Sequence, residues 1–217
     1  MIKFASNLII ICSLLVLISC GKTVETGDEF EQVELPDGSI VSLNKNSKIS
    51  YDGSFEPRIV KLEGEAFFSV NEGETPFIVE TEDGEVEVVG TEFNVKSKGD
   101  KMEVEVEEGG VKMKLKSGGG PGHGLKKGQQ GLFIKGGKNN IKIGRAQFKF
   151  KLWLGDLKIE FKSKGRDFKI SEKHMYKDMN KYNKEMHKDM KKYNKDFDKG
   201  GKKLNKDFDK KGKKGKK

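Results

Sequence analysis

The chain has 217 residues, 34% hydrophobic and 35% charged, with 43 Lys plus Arg against 34 Asp plus Glu and a net charge of +9. The apolar content is low for this length and concentrates before residue 161, so only that part can bury a sizeable core. With two cysteines, Cys12 and Cys20, both near the N-terminus, a disulfide framework and a cysteine metal site are excluded.

Charge divides the chain into two bodies. Residues 21–116 hold 11 Lys plus Arg against 23 Asp plus Glu, a net of −12, whereas residues 117–217 hold 31 against 11, a net of +20. An acidic globular half joined to a basic tail implies mutual attraction or two separate partners.

The first nineteen residues read as a signal peptide. Lys3 supplies the charged start, and the apolar run from Leu8 to Ile18 is shorter than the roughly 20 residues a membrane span needs. The run ends in Leu17, Ile18 and Ser19 before Cys20, the pattern of a lipoprotein lipobox. Cys20 is expected to carry the lipid and become the mature N-terminus, leaving Cys12 in the removed segment. Several acyl chains on one residue exceed the two signals that stable anchoring needs. The membrane, reached through Cys20, is thus the first expected partner. Gly21 is not an aspartate of the kind that resembles an inner-membrane retention signal, so the periplasmic side of the outer membrane is expected over the inner membrane. Residues 20–32 read as the lipidated linker.

From residue 33 the pattern is β. Val41 and Leu43 alternate with polar residues, as do Val86 and Val88, Phe93 and Val95, then Met102, Val104 and Val106, then Val111, Met113 and Leu115. A period of two puts one set of side chains on a single sheet face. Acidic residues Glu85, Glu87, Glu103, Glu105 and Glu107 fill the other set. Asp37-Gly38, Asp52-Gly53, Glu72-Gly73, Asp83-Gly84, Gly99-Asp100 and Gly109-Gly110 punctuate the runs as turns. This spacing predicts a mainly β domain: a small twisted β-roll, a solenoid-like sheet or a sandwich. Phe67 and Phe68 break the alternation, one facing a second sheet layer and the other a neighbouring strand.

Three pieces within this region carry a likeness. The first is Leu35-Pro36-Asp37-Gly38-Ser39 with Leu43-Asn44, the second Leu62-Glu63-Gly64-Glu65-Ala66-Phe67-Phe68-Ser69-Val70, and the third Val89-Gly90-Thr91-Glu92-Phe93-Asn94-Val95. In order and spacing they resemble the FecR domain family, with Gly128-Gln129-Gln130-Gly131 as a last family-like piece. The resemblance covers roughly residues 33 to 135. It implies an envelope-side domain of a bacterial sigma regulator that contacts another envelope protein. Such regulators place a cytoplasmic domain and a membrane helix before the FecR domain. Here only the signal precedes Cys20, so the transmembrane anti-sigma mechanism is not expected to carry over.

The glycine-rich segment 117–124 is expected to be a flexible loop, since it lacks the strand–loop–helix context of a phosphate site. His123 within it has no second ligand at metal spacing. Phe148 to Phe161 alternates once more and predicts a hairpin across Gly155-Asp156, with Trp153 on the opposite face. The β domain is therefore expected over 33–161.

Residues 162–217 form the basic tail, which holds an eleven-residue repeat beginning at Ser171, Tyr182, Tyr193 and Leu204. Tyr182, Met186 and Met190, then Tyr193 and Phe197, make one narrow apolar stripe at about 3.67 residues per turn. Lysines fall opposite it, which suits helix pairing better than lying on a membrane. Helix is expected from Ser171 to Asp198, with fraying and disorder beyond. Lys184, Lys188, Lys191, Lys192, Lys195, Lys202 and Lys203 are the candidate contacts for an anionic envelope polymer or lipid headgroups. The secretion signal argues against nucleic acid despite the basic patch.

No catalytic constellation, cofactor motif or metal-ligand spacing emerges; the carboxylates Glu63 and Glu65, two apart on one strand, are common on exposed sheets. The sequence therefore predicts a non-enzymatic envelope lipoprotein whose FecR-like domain binds a partner protein in sigma-linked signalling. The alternative is a structural envelope lipoprotein whose basic tail binds polyanions or oligomerises.

Overall fold

A computed structural model describes residues 21–117, 121–136 and 141–169. Among the described residues thirteen strands and one helix run β1 (Lys22–Glu25), β2 (Glu31–Glu34), β3 (Ile40–Leu43), β4 (Lys48–Tyr51), β5 (Ile59–Ser69), β6 (Phe77–Glu80), β7 (Gly84–Val88), β8 (Glu92–Lys98), β9 (Lys101–Glu108), β10 (Gly110–Leu115), β11 (His123–Lys126), β12 (Gln129–Ile134), β13 (Lys142–Arg145) and α1 (Phe150–Ser163). The fold is mainly β, as the alternation predicts, and its strands curl into a nearly closed, barrel-like sheet.

The eleven-residue strand β5 is the hinge of this architecture. Its first half pairs with β4 and β6, and its second half with β3 and β8. One layer is thus β1-β4-β5-β6-β7-β10-β11, the other β2-β3-β5-β8-β9-β12-β13. Gly64 marks the crossing, with φ of +95°, and a Cβ there would lie 2.5 Å from Ser47 Oγ and 2.8 Å from Ser47 Cα. Only glycine allows both the dihedral and the close approach.

The bend also separates the two carboxylates that the strand pattern placed on one face. Glu63 is exposed beside β4, whereas Glu65 is buried in the other layer.

The inner faces of the layers meet in one core. Val60, Leu62, Val79 and Val86 come from the first; Val41, Ala66, Val95 and Val104 come from the second. Phe68 stacks on Phe93 at 5.1 Å and meets Phe77 edge-on at 6.1 Å. Each such ring, fully buried, stabilises the fold by about 1.5–3 kcal/mol. Phe67 turns the other way, onto the outer face of its layer, where it stacks on Phe150 of α1 at 5.1 Å.

Two expectations are corrected. The segment read as a linker, residues 20–32, contributes β1, which pairs with β4, and the start of β2, which pairs with β3. The hairpin across Gly155-Asp156 is a helix instead. Phe150, Leu154, Leu157 and Phe161 lie four, three and four residues apart and are the apolar residues that α1 buries, whereas Leu152 and Ile159 are left exposed. Short windows of that spacing mimic strand alternation. Leu, Lys and Glu favour helix, and Ile159 is the only β-branched residue in the segment.

The helix ends in a Schellman motif. Arg166 N–H donates to Phe161 O at 2.8 Å and Gly165 N–H to Lys162 O, with Gly165 at φ +67°. Among the described residues no helix is long and apolar enough to cross a membrane.

Candidate functional site

Strand register gathers the polar side chains of the motif pieces. Gln32, Ser42, Phe67, Asn94, Glu105 and Gln130 form one row across six strands on the outer face of the second layer. Helix α1 lies over this row, and beneath its apolar contacts run two polar networks.

Glu65 is the centre of the first network. It accepts hydrogen bonds from Asn44 Nδ2 (3.1 Å), Asn94 Nδ2 (3.2 Å), Lys96 Nζ (2.9 Å) and Trp153 Nε1 (3.0 Å). Asn44, Glu65 and Asn94 come one each from the three family-like pieces. Together they tie the end of β3, β5 and β8 to α1. Trp153 also stacks on Phe30 at 6.1 Å, so it is a packed aromatic rather than an edge residue open to a sugar.

Glu105 holds the entry to the helix. Lys149, at the N-cap, makes no side-chain cap bond, and the first turn has no acidic residue. Glu105 Oε1, from β9, instead accepts the N–H groups of Gln147 (2.7 Å) and Phe148 (2.8 Å). Burial pushes the Glu105 carboxyl above the usual carboxylate range; the two backbone bonds offset part of that rise. Close by, a β-bulge leaves Glu107 unopposed between the Phe93–Val106 and Glu92–Glu108 pairs. Its Oε1 accepts from Lys151 Nζ at 2.8 Å, with both side chains under a tenth exposed. The ammonium of Lys151 also sits 4.7 Å above the Phe148 ring.

The Pro36-Asp37-Gly38-Ser39 turn is likewise structural. Asp37 accepts from Ser39 N–H, Ser39 Oγ and the Arg58 guanidinium, whose closest approach is 2.5 Å. Arg58 also donates to the carbonyls of Asn71 and Thr75. A Cβ on Gly73 would meet its Nη1 at 2.3 Å, so Gly73 lets the loop close over the guanidinium.

The motif side chains are thus engaged in holding the domain together. Facing outward among the described residues are open sheet edges and shallow grooves. β1 and β11 end the first layer, and β2 and β13 end the second. β13 is exposed at all four residues, with Ile143 nearly half accessible. One groove, about 640 Å³, crosses β4, β5 and β6 and mixes Lys48, Lys61 and Lys116 with Glu63, Glu80 and Glu82. His123 pairs with Met113 at the start of β11, and no group of metal-ligating side chains occurs among the described residues.

The lipobox residues Leu17, Ile18 and Ser19, the lipidation candidate Cys20, and Lys184, Lys188, Lys191, Lys192, Lys195, Lys202 and Lys203 lie outside the described residues. Glu65, Glu105, Glu107 and Lys151 were not singled out as interacting from sequence. The signal for Lys151 was the helical spacing of Phe150, Leu154 and Leu157, which places it beside the buried face.

Comparison with known proteins agrees with this geometry. Residues 22–112 match the FecR protein family. Two crystal structures of a candidate anti-sigma factor from Parabacteroides distasonis, at 2.50 and 1.65 Å resolution, superpose with a TM-score of 0.55 at 32% identity. They cover 62% and 61% of this chain, which spans 64% of the length of each. No functionally curated protein matches the chain.

Proposed function

Starting from the FecR domain that residues 22–112 form, we propose that this chain is a non-catalytic regulatory module of the cell envelope, anchored by lipid at Cys20, that binds a partner protein in a sigma-linked signalling pathway. The observation that carries the reading is the use to which the motif residues are put. Asn44, Glu65 and Asn94, like Asp37 and Arg58, serve internal networks. The domain therefore meets other molecules through its sheet edges, where an incoming strand gains main-chain hydrogen bonds. Similarity to the Parabacteroides distasonis protein supports the link to sigma regulation.

The second reading rests on the sequence. A tail with a net charge of +20, counted from residue 117, and an eleven-residue lysine repeat suits an anionic envelope polymer or lipid headgroups. In-cell crosslinking and affinity capture separate the two. The full-length lipoprotein is compared with a form ending at Lys169. A discrete protein partner kept by the shorter form supports the regulatory module. Loss of every protein partner on shortening, with glycan or lipid recovered only by the full chain, rejects it in favour of the tail.

A further inference from the structure

Of the four open edges, β2 is not bare. After the Schellman turn at Gly165, residues 164–169 run beside it in the same direction. Lys164 pairs with Glu29 at 3.1 Å, Arg166 with Glu31, and Lys169 with Glu34. Lys169 N–H donates to Gln32 Oε1 at 2.9 Å. Phe168 packs into a small cluster with Phe30, Leu157 and Phe161. These partners are about 135 residues apart in sequence, so the fold itself brings them together.

The contact uses side chains where a strand would use its backbone. Leu35 N–H bonds Ser39 O, and by the alternation of an antiparallel ladder Val33 and Glu31 face β3 while Gln32 and Glu34 turn their main-chain groups outward. Gln32 N–H is taken by the Glu31 carboxylate of the same strand. No main-chain hydrogen bond joins residues 164–169 to β2 among the described residues. The ion pairs are well exposed, and exposed pairs are individually weak.

We propose that the β2 edge is a docking site for an extended cationic peptide segment of a partner protein, and that residues 164–169 are a releasable strap that occupies it in cis. The strap shows what the site selects: a cation, a second cation two residues on, then an aromatic and a third cation. It lacks the ladder that a true strand would add. A partner strand carrying the same side chains therefore outcompetes it by forming main-chain bonds to Gln32 and Glu34 as well. The inference rests on the reading of the domain as a strand-accepting module and names the edge and the chemistry of its partner.

The test uses the full chain in detergent and a fluorescein-labelled synthetic peptide of residues 163–169, read by fluorescence anisotropy. The R166E/K169E variant reverses two of the strap's three positive charges, so that they repel Glu31 and Glu34. It is expected to bind the peptide about tenfold more tightly than the unaltered chain, the combined effect of releasing weak exposed pairs. E31K/E34K, made in the otherwise unaltered chain so that the strap is repelled as well, is expected to abolish binding, raised salt to weaken it, and the peptide to slow hydrogen exchange at the Glu34 amide. Should R166E/K169E fail to fold, F168A loosens the strap without changing charge and is expected to act in the same direction.

A folded strap variant that binds no better than the unaltered chain overturns the proposal, as does binding indifferent to E31K/E34K. If cells still yield a protein partner with E31K/E34K while the peptide does not bind, this edge is wrong and the regulatory module stands. If the peptide binds through Glu31 and Glu34 but no partner protein is captured, the edge stands and the module reading fails.

Discussion

Replacing Lys151 by alanine is expected to weaken the domain far more than an ordinary lysine substitution. Lys151 Nζ lies 2.8 Å from Glu107 Oε1, with 7% and 8% of the two side chains exposed. Removing one member of a buried pair leaves a charge without its main compensation, at a cost of about 3–5 kcal/mol. Loss of the ammonium above the Phe148 ring adds on the order of 0.5–2 kcal/mol. Glu107 can take up a proton or admit water once the cavity opens, so the expected loss is near the lower end, about 3 kcal/mol. That is roughly a 150-fold change in the unfolding equilibrium. With a urea slope of about 2 kcal/mol per molar, the midpoint falls by about 1.5 M. Trp153, the only tryptophan, sits on α1 and reports the transition by fluorescence. The double variant K151M/E107L, which replaces the pair by apolar groups of similar volume, is expected to recover most of the loss. A loss below about 1 kcal/mol for K151A, or a double variant as unstable as the single, would refute the view that this buried pair is what docks the helix.

Glu105 predicts a pH dependence. Its folded pKa is raised, so the folded state binds more protons than the unfolded state above the ordinary carboxylate range, and stability falls as pH rises from that range through the raised pKa. Glu105→Gln keeps an oxygen for the Gln147 and Phe148 N–H groups, so urea midpoints at stepped pH should lose this downward slope. Glu87 contributes the opposite sign: its hydrogen bond from Lys114 lowers its pKa, and that stability is lost as pH falls through the folded value. The wild type minus E105Q difference isolates the Glu105 slope. Gly64→Ala meets the Ser47 backbone at positive φ, and thermal unfolding should show a loss of at least about 2 kcal/mol. Trp153→Phe keeps the stacking on Phe30 but removes the donor to Glu65, costing about 1.5–3 kcal/mol by circular dichroism melting. Arg58→Lys loses the two-nitrogen grip on Asp37 Oδ2 and one of its carbonyl contacts, and limited proteolysis should cut faster between Asn71 and Thr75.

The strands were legible because the inner face of each layer is apolar while the outer face is polar, exposed in the first layer and covered by α1 through charged and amide groups in the second. Val86 and Val88, or Val104 and Val106, stand in the core with acids between them, and a period of two is what a half-buried sheet writes into sequence. The family-like pieces were legible too, but not what their polar residues do. Asn44, Glu65 and Asn94 meet only through the register of three strands, and register depends on which strands pair, which local pattern does not encode. α1 was misread because Phe148, Phe150, Leu152 and Leu154 alternate over seven residues, too short a window to separate the two periods; Leu157 and Phe161 complete the helical one. β1 was missed because Lys22–Glu25 is an edge strand with a mostly exposed, polar face, and therefore carries little alternation.

The central claim, that the domain meets a partner protein through its sheet edges, is tested most directly by photo-crosslinking in living cells. A photoreactive phenylalanine is placed in the full-length protein at Glu34, the exposed residue of β2, at Ile143 on β13, or at Glu63 in the groove. A discrete protein adduct from an edge position, and none from the groove, is the predicted result. Adducts from the groove alone, or no protein adduct at any of the three positions, would contradict the account.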